Sequence, residues 1–98
     1  MNKMAKTIMT DSVTIIKADN RLCIHVICGW EEDQSWKYSI WFTPVEGGVQ
    51  ININFPSGGY LLGVAHTADE AVNLVTKDQA DAPVGYVAWC FTNIGERE

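Results

Sequence analysis

Cys23 and His25 lie two residues apart in the run LCIHVIC, and between them they hold the chemistry of a nucleophile and its base. A thiolate attacks and an imidazole carries the proton, and such partners need only meet in space. The same two residues are possible metal ligands, but with only His66 elsewhere they fall short of a structural zinc set. Cys23, Cys28 and Cys90 are an odd number without C-x-x-C spacing, which argues against a disulfide framework or a zinc ribbon. They are expected to be small reduced hydrophobes. The sequence has no G-x-S-x-G elbow, no glycine-rich phosphate loop ending in Lys and no H-E-x-x-H pair. The expectation is a protein that is not an enzyme and needs no cofactor or metal.

The acids point elsewhere. Glu31, Glu32 and Asp33 are consecutive in a polar stretch, where carboxylates are solvated or meet a basic partner, and Asp78 and Asp81 join them if the fold brings them near. With 12 acidic against 7 basic residues the formal net charge is -5, a balance that repels phosphate backbones and suits a basic macromolecule. Direct nucleic-acid binding is not expected. No apolar run is long enough to span a bilayer, and the opening MNKMAKTIMTDS lacks the hydrophobic core of a secretory signal. The expected location is the cytoplasm.

The elements that must position these residues follow from hydrophobic periodicity. At 98 residues with 47% apolar and 19% charged positions, one globular domain is expected, with residues 1–10 and 93–98 outside its packed part. Val13 to Lys17 and Leu22 to Trp30 are strand-like runs around ADNR, where Asp19 and Asn20 suit a tight hairpin turn. A polar loop from Glu31 to Ser35 leads to a third strand, Trp36 to Thr43. After a turn at Pro44 to Gly48, Val49, Ile51, Ile53 and Phe55 alternate with Gln50, Asn52 and Asn54, the period of a half-buried antiparallel strand. Gly47-Gly48 and Gly58-Gly59 read as turn glycines, and a short strand is expected at Tyr60 to Val64.

Thr67 opens a capping box, T-x-x-E: its hydroxyl is placed to accept from the Glu70 amide, with the Glu70 carboxylate returning to the Thr67 amide. The spacing of Ala68, Ala71, Val72 and Val75 predicts a helix over about 68–78. Val84 to Phe91, with Val87, Trp89 and Phe91 inward, reads as a last strand, and the tail TNIGERE as frayed. The predicted fold is α+β, a mainly antiparallel five- to six-stranded sheet with one helix on one face, in the order βββββαβ or ββββαβ.

One short helix covers only part of such a sheet. If it packs on the face holding Val26, Phe42, Ile51, Ile53 and Trp89, the opposite face carries Trp41, Tyr86, Ile27 and His25 among amides such as Asn52. Rigid rings bordered by polar groups are what protein interfaces use, and ordinary cross-strand packing is the alternative.

The stretch GGVQININFPSGGYLLGVAHTADEAVNLV resembles the core of HicB-type antitoxin domains, in which a strand pair leads through a Phe-Pro turn to a Thr-x-Glu-Glu-Ala-like helix start. Phe55, Pro56, Thr67, Asp69, Glu70 and Ala71 carry it, over residues 47–75. Members of that family neutralise a small RNA-cleaving toxin, so the resemblance implies toxin masking. In type, an acidic single-domain α+β chain without catalytic residues is similar to the small phage-encoded inhibitors of host defence, including anti-CRISPR proteins, which cover surfaces that contact nucleic acid. The expected function is a non-catalytic inhibitor that masks a basic surface of a host protein or ribonucleoprotein complex. A HicB-like antitoxin, a homodimeric assembly component and a ligand-binding domain are the alternatives.

Overall fold

The structure is a computed structural model that describes residues 9–30 and 33–95. Five strands, β1 (Met9–Ala18), β2 (Arg21–Trp30), β3 (Asp33–Val45), β4 (Gly48–Phe55) and β5 (Gly58–Ala65), form one antiparallel sheet in the order β1-β2-β3-β4-β5. Two helices follow, α1 (Ala68–Asp78) and α2 (Val84–Gly95). The α+β class and the antiparallel sheet stand as expected.

Local chemistry explains most of the path. Asp19, at φ 59, turns β1 into β2, so that Ala18 pairs with Arg21 across two residues. The alternation in β4 puts Ile51 and Ile53 into the core with no exposed surface and leaves Gln50, Asn52 and Asn54 on the other side. Asp33 to Ser35, expected in a loop, belong to β3 and pair with Trp30, Gly29 and Cys28 on β2. At α1 the Glu70 amide donates to Thr67 Oγ1 at 3.1 Å, but the returning contact is a correction: Glu70 Oε1 accepts from the His66 amide, at 2.6 Å, rather than from Thr67. The same carboxylate oxygen lies 3.2 Å from His66 Nδ1.

Val84 to Phe91 is not a strand. Val87, Cys90, Phe91 and Ile94 recur at the helical spacing, and in α2 they form one stripe facing the sheet, with Val87 and Cys90 wholly buried. Pro83 opens the helix, its carbonyl accepting from the amides of Tyr86 and Val87. The helix carries the chain through Ile94, itself buried, so Thr92 to Ile94 are part of the packed domain rather than a frayed tail. Trp89 is correspondingly on the outer side, 49% exposed, instead of in the core.

Both helices pack on the same face of the sheet. Side by side, α1 lies against β5 while α2 lies over β2 and β3. Their buried Ala71, Val75, Val87 and Cys90 meet Ile24, Ile40, Phe42 and Ile51 in one continuous core. Full burial of each valine, isoleucine or phenylalanine side chain among them contributes about 1.5–3 kcal/mol relative to exposure.

Candidate functional site: the bare face of the sheet

Among the described residues no helix lies over the second face of the sheet. Pairing across the strands lays its residues out in rows. Ile16, Cys23, Trp41, Asn52 and Leu61 form one row from β1 to β5, and Thr14, His25, Ser39, Asn54 and Gly59 form the next. Thr43, Gln50 and Val64 continue on the far side of Trp41. Trp41, Asn52, His25 and Ile27, all read from the sequence as partner-binding, therefore share this face and are half-buried.

The centre of the face is a trough of about 500 Å3 lined by Arg21, Trp41, Thr43, Gln50, Asn52 and Asn54. Its amides form a ladder along β4, because residues two apart on a strand point the same way. Gln50 Nε2 donates to Asn52 Oδ1 at 3.2 Å, leaving the Gln50 carbonyl and the Asn52 amino group directed elsewhere. The Arg21 guanidinium sits over the Trp41 ring, 4.5 Å from its centroid, a cation–π contact that holds both flat groups in place. Apolar side chains flank the trough: Ile16 on β1 and Leu61 and Val64 on β5 are 41–55% exposed. Together these groups offer hydrogen-bond donors and acceptors, stacking surface and an apolar margin.

Cys23 lies beneath this layer, 2% exposed between Ile16 and Trp41. Burial pushes its thiol up to about 11, outweighing the hydrogen bond from Ser39 and the Arg21 charge. Burial thus favours the thiol over the thiolate at neutral pH. Burial likewise raises Cys90, on the core side, to about 12. Among the described residues no three His, Cys, Asp or Glu side chains converge as a metal site, and no helix is long and apolar enough to cross a membrane.

The other residues singled out from the sequence are elsewhere. Because Val84 to Gly95 is helical, Tyr86 stands on α2, on the opposite side of the sheet from Trp41, and is a correction to their grouping. Asp78 and Asp81 also lie on the helix side. Both Asp78 oxygens accept from the Tyr60 hydroxyl, at 2.8 and 2.9 Å, and Asp81 pairs with Lys37 at 3.1 Å. Glu31 and Glu32 are outside the described residues, and Asp33 begins β3. Arg21, Thr43, Leu61 and Val64 were not foreseen, although their parity relative to Trp41 and Asn52 was the available signal.

No family model matches the chain, and neither does any curated protein or solved structure.

Proposed function

We propose that this chain is a non-catalytic protein-binding inhibitor that lays the bare sheet face around Trp41 and Asn52 onto a basic, nucleic-acid-handling surface of a host protein or ribonucleoprotein complex, in the manner of anti-CRISPR proteins. One observation carries the reading: both helices pack on one side of the sheet, and the side without them holds an aromatic ring, a ladder of amides and exposed Ile16, Leu61 and Val64. Apolar area beside ordered hydrogen-bonding groups is the composition of a protein contact surface. The net charge of -5 supports a basic partner, since opposite charge accelerates encounter while buried rings slow dissociation. The buried, protonated Cys23 favours recognition over bond-making at this face.

The test is affinity capture from host lysate with the wild-type chain and with Trp41→Ala, each checked for native circular dichroism. A basic nucleic-acid-processing complex held by the wild type and weakened at least about fivefold by Trp41→Ala is the expected result. Equal retention by the two proteins removes Trp41 from the interface. The order β4, turn, β5, Thr67-capped α1 favours the HicB-like alternative. That alternative takes over if the captured protein is a small RNA-cleaving toxin.

A further inference from the structure

The two edges of the sheet are built differently. The β5 edge carries a bulge opposite Ile51 and Asn52 and positive-φ glycines at 58 and 63, and α1 packs along it; irregularities of this kind blunt an edge. By contrast β1 pairs with β2 without a break from Met9 to Ala18, and it has no proline. Residues 12 to 16 are uncharged. Among the described residues nothing pairs with its outer side, a row of backbone donors and acceptors. Beside it on the helix side lies an apolar groove of about 340 Å3 formed by Ile15, Gly85, Tyr86 and Trp89. The two rings are 43% and 49% exposed.

We propose that the occupant of this edge is a second copy of the chain, pairing β1 with β1 antiparallel about a two-fold axis at Thr14 to make one continuous sheet. Antiparallel self-pairing on that axis sets Thr14 opposite Thr14, Val13 opposite Ile15, Ser12 opposite Ile16 and Asp11 opposite Lys17. Helix-side aliphatics thus meet aliphatics, and opposite charges face each other at both ends. Shifting the axis to Val13 puts Asp11 opposite Ile15, and shifting it to Ile15 puts Lys17 opposite Val13, so of the three only the Thr14 axis keeps charged residues from facing aliphatic ones. Moving the register by an odd step turns apolar positions toward polar ones.

The same axis keeps the helices of both copies on one side. With strands ~4.8 Å apart, helices seated over β2 and β3 stand roughly 19 Å from each other across the axis. Tyr86 and Trp89 project into that gap from both copies. Half-exposed rings of ~150–250 Å2 each, two per copy, contribute on the order of 350 Å2 toward the ~1,000 Å2 of a stable interface. The paired strand edges and Ile15 add to that area.

Sedimentation equilibrium of the full chain tests the assignment. The expected wild-type mass at about 100 μM is twice 10.9 kDa. Lys17→Glu, at an exposed position, should raise the dissociation constant at least about tenfold, because the two-fold repeats the like-charge clash. Adding Asp11→Lys should restore it to within about threefold. Native circular dichroism of each variant separates loss of association from loss of folding. A wild-type monomer at that concentration overturns the proposal, and so does a dimer that ignores the charge reversal or is not rescued by the exchange.

Discussion

Trp41 and Phe42 are neighbours in β3, yet they belong to surfaces of opposite character. Phe42 has no exposed area and belongs to the core that the helices cover, whereas Trp41 is half-buried, held by Arg21 and bordered by amides. One peptide unit separates a side chain whose surroundings come from the whole fold from one whose surroundings are its own sheet. On the covered face, shape is dictated by close packing, and any lost volume is felt. The bare face is ordered by polar and ring contacts that leave its outer atoms available to something else.

Four experiments probe that contrast, and the largest effect belongs to the covered face. Phe42→Ala should cost about 3–5 kcal/mol in chemical denaturation, against about 1–2 kcal/mol for Trp41→Ala. Equal costs would mean that the two faces are packed alike. Gly59 comes next, because Asn54 folds over it: an added Cβ would overlap Asn54 Oδ1 and come within 2.5 Å of the Ile53 carbonyl oxygen. Gly59→Ala should therefore lose about 1–3 kcal/mol, visible as a lowered melting temperature. An unchanged melting temperature would show the amide ladder to be loose.

Thiol labelling sharpens the comparison further. In a Cys28→Ser background, Cys23 and Cys90 should both react slowly with a maleimide at neutral pH, since burial holds each thiol protonated. Trp41→Ala should accelerate Cys23 at least about tenfold and leave Cys90 unaffected, because only Cys23 is a cross-strand neighbour of Trp41. The smallest effect is at the start of α1, outside both faces. The His66 amide and ring hold the Glu70 carboxyl below its ordinary value, so its contribution is present above that value and is lost as the pH falls through the folded one. Glu70→Gln should accordingly flatten the acid limb of stability below about pH 4.5. An acid limb identical to that of the wild type would remove the interaction.

The readable parts of this sequence were those in which one physical signal acted alone. In β4, strict alternation met no competing period, and in α1 a capping threonine, early acids and a late lysine agreed with the apolar spacing, giving the Ala68 to Asp78 boundaries. For α2 two signals competed. Val84, Tyr86, Val87, Trp89 and Phe91 are β-branched or aromatic residues that favour strands, and alternate positions 87, 89 and 91 fitted a strand. The longer pattern of Val87, Cys90, Phe91 and Ile94, with Pro83 before it and Gly95 at its end, was helical and is what the core selects. Misreading this segment also placed Tyr86 beside Trp41. The trough was half legible: parity gave Trp41, Asn52 and His25 a common face, but Arg21 stacked on Trp41 is a tertiary contact that no local pattern encodes.

Sheet order has a consequence for synthesis. Every strand neighbours the one before it, so hairpins can close one after another as the chain lengthens, with little loop entropy to overcome. Both helices come last, and until they emerge Ile24, Ile40, Phe42 and Ile51 lack their cover. A nascent chain halted just after Ala65 would thus hold all five strands without either helix over Ile24, Ile40, Phe42 and Ile51, a form prone to aggregate and in need of a chaperone.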